Sequence, residues 1–405
     1  MEKVKLGFIG LGCRGSFLIK LVAENFKDID IVAVCDTYQD RTLEAAETVK
    51  KERGFSPAMY QNAIDVLQDP NVNTVIISAA WEAHIPLAIE AMKAGKITGL
   101  EVGGAYSLDD CWALVRAYEE TKTPFMFMEN CCYGKMELLA TSLVRKGRLG
   151  EVVFCHGAYG HDLREEICGG VQNRHYRLRN YLTRNCDNYP THELGPIARL
   201  LNINRGNRML KLTSLASKSR GLSAFAKGKE EFSFLEDKHF AQGDVVCTMI
   251  TCTDGSLISL KLDTCLPRAY SREFTVNGTK GCFSEDNNLV LTEDTHFDHN
   301  LPMSDFHDTA KDYESYLPKI WKEELNENLK AGHGGMDALM LRAFFDAIVK
   351  NDEMPIDVYD AASWMSITCQ SEVSIALGGA PVEIPDFTCG KWVMREPKDV
   401  VDLEN

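Results

Sequence analysis

The sequence lacks any excess of positive charge. Its 405 residues include 44 Lys and Arg against 59 Asp and Glu, which gives a net charge of −15 at pH 7. Proteins that bind nucleic acids or anionic membranes do so through basic surfaces. We therefore expect neither nucleic acid nor membrane among the partners of this chain, although the charge balance leaves room for a local basic pocket.

Long apolar runs are also missing. The uncharged stretch Asn71–Trp81 has about 11 residues, whereas a membrane-spanning helix needs about 18. The start of the chain shows no apolar segment followed by a small-residue cleavage site. These absences predict a soluble, cytoplasmic protein.

The 14 cysteines lack the spacing of a metal site or a disulfide scaffold. No Cys-x-x-Cys occurs, and Cys13, Cys35, Cys111, Cys155 and Cys247 lie within apolar runs. This placement predicts reduced, mostly buried thiols. One acidic segment, from Asp294 to Asp308, also contains His296, His299 and His307, but its spacing does not match a structural zinc site. We therefore expect no metal.

Strand and helix signals alternate over the first 150 residues. Short apolar runs separated by helices are typical of a parallel sheet covered on both faces. This pattern predicts an α/β fold whose N-terminal part, 1–130, is a Rossmann doubly wound parallel sheet. The strand signals are Val4–Gly10, Ile29–Cys35, Thr74–Ser78 and Pro124–Met128, and the helical patterns are Phe17–Asn25, Arg41–Lys51, Ile85–Ala94 and Leu108–Glu120.

The pattern changes after about residue 150. Alternating strands such as Val245–Thr251 and Leu257–Leu262, joined by an Asp254-Gly255 turn, indicate a large, mostly antiparallel sheet. Residues 131–405 are therefore predicted to form an α+β domain for substrate binding and oligomerisation. The helical patterns near the end of the chain could pack back on the first domain. The acidic segment Ser284–Asp308 is predicted to be irregular.

A glycine motif opens the chain. Gly10, Gly12 and Gly15 form G-x-G-x-x-G directly after a predicted strand and before a predicted helix. In this setting the glycines allow a tight turn, close approach of a pyrophosphate and close helix–strand packing. Asp36 ends the second strand, 21 residues after Gly15, where an acid binds a ribose hydroxyl and repels a 2′-phosphate. The motif therefore predicts NAD rather than NADP.

Further motifs give the chain a specific resemblance. A nicotinamide domain followed by an antiparallel-sheet domain resembles the glucose–fructose oxidoreductase/inositol dehydrogenase superfamily. The motif set narrows this to glycoside hydrolase family 109, NAD-dependent glycosidases in which α-N-acetylgalactosaminidase is the named activity. The motifs, spread over nearly the whole chain, are Trp81-Glu82-Ala83-His84, Glu101-Val102-Gly103-Gly104, Met128 to Tyr133, Tyr159 to Arg164, Tyr189-Pro190-Thr191-His192, Asn202 to Arg208, Gly332 to Asp337 and Ile384 to Thr388.

The resemblance implies two sets of site residues. The implied NAD contacts are Gly10, Gly12, Cys13, Arg14, Gly15, Asp36, Trp81, His84, Glu101, Val102, Asn130 and His192, with Cys13 and Arg14 against the pyrophosphate and Trp81 to His84 beside the nicotinamide. The implied sugar contacts are Tyr159, Arg177, Tyr189 and Tyr270. The residues implied to matter for activity are Glu129, Tyr159, His161, Tyr189 and His192.

Two departures from related patterns bear on function. Simple dehydrogenases of the superfamily carry Glu-Lys-Pro where this chain has Glu101-Val102-Gly103, and an aspartate where it has Asn188. Both losses count against a plain sugar or cyclitol dehydrogenase. Within the narrower family, Asp187 and Glu193 replace a more glycine-rich setting, which bears on the preferred sugar.

The implied chemistry is redox-assisted hydrolysis of a hexoside. NAD would take hydride from sugar carbon 3, a base would remove the proton at carbon 2, and the substituent at carbon 1 would leave. Water would then add and the hydride would return, so NAD would stay bound. His192 is the first choice for the carbon 3 hydroxyl proton, because histidine titrates near neutral pH. The other roles, shared among Tyr159, His161 and Tyr189, stay open.

Two rival functions also fit a nicotinamide fold. One is a net NAD-dependent sugar or cyclitol dehydrogenase, which would release NADH. The other is a non-catalytic nicotinamide-binding regulator, which would bind the dinucleotide without turnover. The partners expected are a small glycoside and further copies of the chain in a homo-oligomer.

Overall fold

The computed structural model of the chain describes residues 3–294, 307–322 and 333–403. The described residues form two compact units, one within the ranges Met1–Asn130 and Leu325–Ser363 and the other within Cys131–Glu324 and Trp364–Asn405. His296 and His299 of the acidic segment lie outside the described residues. In the described part of the chain, no helix is both long and apolar enough to cross a membrane.

The first unit contains a parallel sheet. Its strand order among the described residues is β3-β2-β1-β4-β5-β6, and every pairing is parallel. This order is that of a doubly wound dinucleotide-binding fold, so the predicted fold class is confirmed. The strands are β1 Lys5–Ile9, β2 Asp30–Cys35, β3 Ala58–Tyr60, β4 Thr74–Ile77, β5 Ile97–Leu100 and β6 Phe125–Phe127.

Helices connect these strands. The first helix begins at Cys13, within the glycine motif, and Gly12 is its N-cap residue with extended backbone. As at any helix start, its first amides have no acceptor within the helix. The side chain of Ser107 caps another helix by accepting from the Asp110 amide at 3.1 Å. The helices are α1 Cys13–Asn25, α2 Gln39–Arg53, α3 Ala63–Gln68, α4 Trp81–Lys93 and α5 Leu108–Thr121.

The second unit contains the larger sheet. Its order within the described residues is β13-β12-β11-β7-β10-β9-β8-β14, antiparallel except that β10 runs parallel to β7. Exposed and buried residues alternate along β9, so one face of the sheet is covered and the other is open. The strands are β7 Val152–Gly160, β8 Met209–Ala216, β9 Val245–Cys252, β10 Leu257–Asp263, β11 Thr275–Gly278, β12 Gly281–Ser284, β13 Leu289–Thr292 and β14 Val382–Glu383.

The remaining helices complete both units. Helix α9 packs closely on β7 at Gly157. A Cβ atom at this position would lie only 2.8 Å from the Glu193 carbonyl oxygen. The glycine therefore sets how closely this helix approaches the sheet. The helices are α6 Lys135–Arg145, α7 Arg164–Cys168, α8 Arg177–Thr183, α9 Thr191–Leu200, α10 Gly221–Ala226, α11 Lys319–Lys322, α12 Met336–Lys350 and α13 Val358–Ala376.

One sequence expectation is wrong in part. The segment Ser284–Asp308, predicted to be irregular, contains strand β13, which pairs with β12. Four residues are too short a run for alternation to be recognised. Pairing with β12 and hydrogen bonds between Thr309 and the Val290 backbone stabilise them as a strand.

Candidate active site

The glycine turn of the first unit has the geometry of a phosphate cradle. Gly10 has φ +91°, and a Cβ atom there would lie 2.5 Å from the Ala79 nitrogen. A Cβ at Gly15 would lie 2.0 Å from the Gly10 carbonyl oxygen. At Gly12 the nearest atom to such a Cβ is Arg41 Nη1 at 3.7 Å, so the space in front of the α1 N-terminus is open. That space can receive a pyrophosphate.

Asp36 holds this turn in place. Its carboxylate accepts from the Leu11 amide at 2.7 Å and from the Tyr38 amide at 2.9 Å. Arg41 Nη1 lies 3.7 Å from the same carboxylate. Asp36 is thus fixed at the end of β2, where the sequence places a ribose-binding acid.

An ion-pair network surrounds Arg14. The Arg14 guanidinium donates to Glu101 at 3.0 Å and to Asp337 at 2.8 Å, and Asn130 donates to the same Asp337 oxygen at 2.8 Å. His333 Nδ1 donates to the other Asp337 oxygen at 2.7 Å. Arg14 Nη1 is buried without a hydrogen-bond partner among the described residues. This donor can bind an oxygen of a dinucleotide.

Three more of the predicted NAD residues are buried just after the ends of β4 and β5: Trp81, His84 and Val102. A Cβ at Gly103 would lie 2.5 Å from the Trp81 ring, so glycine lets the indole pack against this loop. His84 Nε2 donates to the Ala79 carbonyl at 2.9 Å. Burial lowers the pKa of His84 to about 4, so the imidazole is neutral at neutral pH.

The predicted NAD residues of the first unit fit a dinucleotide. The cradle that a Cβ would fill, the unsatisfied Arg14 donor and the anchored Asp36 agree with one another. Cys13 lies exposed at the first turn of α1. Glu129, predicted to act in catalysis, is fully buried directly after β6.

The second unit brings together most of the predicted sugar-handling residues. The Tyr159 hydroxyl lies 3.3 Å from His161 Nδ1. The ring centroids of Tyr159 and Tyr189 are 4.8 Å apart, and that of His192 lies 5.5 Å from Tyr159 and 4.8 Å from Tyr189. Tyr270 packs edge-on against His161 at 5.1 Å. These five side chains are the aromatic cluster.

Local structure explains how the aromatic cluster forms. Tyr159 lies near the end of β7, and His161 follows two residues later on the same face. Tyr189 and Pro190 lead into α9, which begins at Thr191 and carries His192 in its first turn. The end of β7 and the start of α9 therefore place their tyrosine and histidine side chains next to each other.

Arg177 contacts the aromatic cluster directly, and it is paired with a carboxylate that the sequence motifs did not predict, Glu166. Arg177 lies 5.0 Å from the Tyr189 ring centroid and hydrogen-bonds to Tyr159. Its Nε atom lies 2.7 Å from Glu166 Oε1. Glu166 lies on α7, in a run of polar residues that carries no motif. Asp337 was missed as well, although it ends a motif, because that motif implied no role for it.

The environment shifts the pKa values of the hydrogen-bonded pair Tyr159 and His161 in opposite directions. Burial raises the pKa of Tyr159, against the opposing charge of Arg177. Burial and the positive charge of Arg177 lower the pKa of His161. At neutral pH, His161 is therefore a neutral imidazole, and the Tyr159 phenol can donate to it. In such a pair, the histidine can accept a proton and the phenol can donate one.

Replacing Arg177 by methionine is expected to raise the pKa of His161. The change removes the positive charge that helps burial to lower that pKa. The acid limb of kcat/KM should move to higher pH, and kcat/KM should fall about 100-fold through loss of a charged hydrogen bond. NMR titration of His161 and pH–rate profiles measure both effects. Arg179→Met, an exposed change on the same helix, serves as the control, and an unaltered His161 pKa would contradict the prediction.

Comparison with known families covers both units. Residues 4–128 match the description "Oxidoreductase family, NAD-binding Rossmann fold", and residues 133–394 match "Glycosyl hydrolase 109, C-terminal domain". The "Alpha-N-acetylgalactosaminidase" of Tannerella forsythia is 38% identical over 97% of this chain and 88% of that protein. A "Glycosyl hydrolase family 109 protein" of Stenotrophomonas maltophilia is 35% identical over 98% of this chain and 91% of that protein.

Solved structures share the fold at low sequence identity. Levoglucosan dehydrogenase in complex with NADH and levoglucosan is 18% identical, with a TM-score of 0.72 over 95% of this chain and all of that one. Myo-inositol 2-dehydrogenase from Lactobacillus plantarum is 15% identical, with a TM-score of 0.67 over the same shares. These structures support the fold class. The family itself follows from the matched C-terminal domain and from the relatives that align over nearly the whole chain: the chain belongs to glycosyl hydrolase family 109.

Proposed function

We propose that the chain hydrolyses a hexoside by transient oxidation at sugar carbon 3, with an N-acetylgalactosaminide as the first candidate substrate. The observation that carries this proposal is the aromatic cluster, in which a neutral His161 and the Tyr159 hydroxyl lie 3.3 Å apart beside Tyr189 and His192. The relative from Tannerella forsythia, which is named for this sugar, supports the choice of substrate.

The proposed reaction divides its tasks between the two units. NAD, when bound, accepts hydride from sugar carbon 3 and returns it at the end of the cycle. Gly12 and the α1 N-terminus would hold its pyrophosphate, and Asp36 its adenosine ribose. Arg14 would donate through Nη1 to a cofactor oxygen.

Residues of the second unit would carry out the proton transfers. His192 would take the proton of the carbon 3 hydroxyl as the ketone forms. The ketone acidifies the carbon 2 hydrogen, which Tyr159 or His161 would remove as the aglycone leaves carbon 1. The partner in that hydrogen-bonded pair would protonate the aglycone. Water would then add at carbon 1 and give its proton to the group that protonated the aglycone. The base, after exchange with solvent, would protonate carbon 2, and His192 would return a proton to the carbon 3 oxygen as the hydride returns to carbon 3.

One feature of the first unit argues against net dehydrogenation. Val102, where simple dehydrogenases of the superfamily carry lysine, is 4% exposed and offers no ammonium to polarise a hydroxyl. We also propose that NAD remains bound between turnovers, since each cycle returns the cofactor to its starting state.

The test uses protein purified without added cofactor. It is incubated with α- and β-nitrophenyl hexosides in D₂O while nitrophenol and NADH absorbance are followed. Aglycone release without steady NADH, with deuterium at carbon 2 of the product, is the expected result. Steady NADH with an intact glycosidic bond would establish a dehydrogenase instead. Bound NAD without any turnover of the panel would favour a binding protein.

We further propose that the chain forms a homo-oligomer through the open face of the large sheet. Leu215 and Met249 lie on that face and are 59% and 38% exposed. Exposed apolar side chains on one sheet face are typical of an interface. Sedimentation velocity should show an oligomer that Leu215→Asp with Met249→Asp disperses, and a monomeric wild type would contradict the proposal.

A cytoplasmic location is also proposed. All fourteen cysteines are free thiols, which suits a reducing compartment.

A further inference from the structure

Two carboxyl groups are buried behind the aromatic cluster. Asp187 and Glu193 flank the Tyr189–His192 turn, and they are 0% and 1% exposed. Isolated ionised carboxylates are costly to bury, so each needs a counter-charge or a proton. Neither residue belongs to the set implied for catalysis or for sugar binding.

Glu193 reaches the large sheet beside β7. Its Oε2 atom accepts from the Lys261 amide of β10 at 2.9 Å. Lys261 is paired with Ala158 of β7, the residue before Tyr159. The carboxyl group therefore connects the start of α9 to the strand that pairs with β7, and β7 presents the Tyr159 side chain.

The two carboxyl groups are hydrogen-bonded to each other. An ionised carboxylate only accepts hydrogen bonds, so this contact requires a proton on one of the two groups. Among the described residues, no donor meets hydrogen-bond geometry at either Asp187 carboxyl oxygen or at Glu193 Oε1. A proton shared between the acids is what satisfies these buried atoms.

We infer that Asp187 and Glu193 share one proton and act as a positioning pair, which holds Tyr159 against the Tyr189–His192 turn. The inference rests on the proposed function, because it concerns the arrangement of those three side chains for proton transfer. Glu193 accepts from the Lys261 amide of β10, which pairs with β7, and the shared proton joins Glu193 to Asp187 on the other side of the turn.

The surroundings favour retention of the proton. Burial raises the pKa values of both Asp187 and Glu193, so the shared proton stays at neutral pH and is lost as the pH rises. Cys186 and Cys247, which interact electrostatically with Asp187, also have pKa values raised by burial and stay neutral. The Lys261 ammonium is bound to Glu273 at 2.6 Å.

Infrared difference spectroscopy tests the shared proton on the full-length protein. Wild type minus Asp187→Asn and wild type minus Glu193→Gln, both at neutral pH, should each show loss of a protonated carboxyl band. Glu273→Gln is the matched control, because Lys261 and Arg268 lower the pKa of Glu273 to about 2 against the effect of burial. Its difference spectrum should show no such loss.

Kinetics test the positioning role. Glu193→Leu removes the acceptor for the Lys261 amide and is expected to lower kcat about 100-fold, as a small misplacement of reacting groups does. The double variant Asp187→Asn with Glu193→Gln can keep the hydrogen bonds without a shared proton. We expect wild type to lose activity and melting temperature at alkaline pH as the shared proton leaves, and the double variant to retain most of the wild-type kcat without this alkaline loss.

Each outcome decides the inference. No loss of a protonated band in either single variant overturns the shared proton. Loss of the band with equal kcat in Glu193→Leu and wild type overturns the positioning role, and so does a double amide variant as slow as Glu193→Leu. If wild type cleaves no glycoside, the proposed function and the positioning role both fail, while the infrared spectra still decide the shared proton.

Discussion

Replacing His192 by asparagine is expected to lower kcat about 1,000-fold, within the usual contribution of a general acid or base. His192 lies in the first turn of α9 with its ring 4.8 Å from Tyr189 and 5.5 Å from Tyr159. Asparagine retains a polar side chain but cannot accept the hydroxyl proton. Release of nitrophenol from the best glycoside of the panel measures the loss.

Two controls make this result specific. His239→Asn changes an exposed histidine of the same unit and should leave kcat unaltered. The His192→Ala variant should regain activity with added imidazole, because the missing group is a base rather than a packing element. A His192→Asn enzyme with near wild-type kcat would show that another group removes the hydroxyl proton.

Replacing Asp337 by leucine is expected to destabilise the first unit by about 3 kcal/mol and to weaken NAD binding. Asp337 is fully buried and accepts from Arg14, Asn130 and His333. Without it, Glu101 is the one remaining counter-charge of the Arg14 guanidinium among the described residues, and the Arg14 Nη1 donor is no longer held in position. Denaturant unfolding and titration with NAD measure the two effects.

The pH dependence of this loss has a defined sign. Burial acts to raise the pKa of Asp337, but hydrogen bonds and charges from His333 and Arg14 hold it well below its usual range. A depressed carboxyl pKa stabilises the fold above the ordinary pKa and ceases to do so as the pH falls. The difference between wild type and Asp337→Leu should therefore shrink in acid.

A surface aspartate on the same helix provides the control. Asp346 has a 43% exposed side chain and pairs with Arg342 and Lys350. Its replacement by leucine should change stability by no more than about 0.5 kcal/mol. Equal effects at Asp337 and Asp346 would contradict the importance of the Arg14 network.

Local chemistry made part of this protein predictable from sequence. The glycine turn, the helix that follows it and the acid at the end of β2 lie within 36 residues, and each depends on backbone conformation and short-range contacts. Tyr159 and His161 are likewise two positions apart, so an extended strand is enough to place them on one face. Strands β3 and β5 were not predicted, because neither contains a continuous apolar run that would mark it locally.

Long-range contacts lay outside what sequence patterns could decide. Arg14 and Asp337 are separated by 323 positions, and only packing of α12 in the first unit brings them to 2.8 Å. Glu166 meets Arg177 because the short helices α7 and α8 pack together, and nothing in the local sequence signals that contact.

The amino-acid sequence by itself determined the family, the fold class, the cofactor turn and the residue types of the aromatic cluster, because motifs and periodicity are local properties. The tertiary structure alone decided which charged groups are buried together, as with Asp187, Glu193 and the Lys261 amide. Burial and neighbouring charge set the protonation of such groups, and both arise only when distant segments pack.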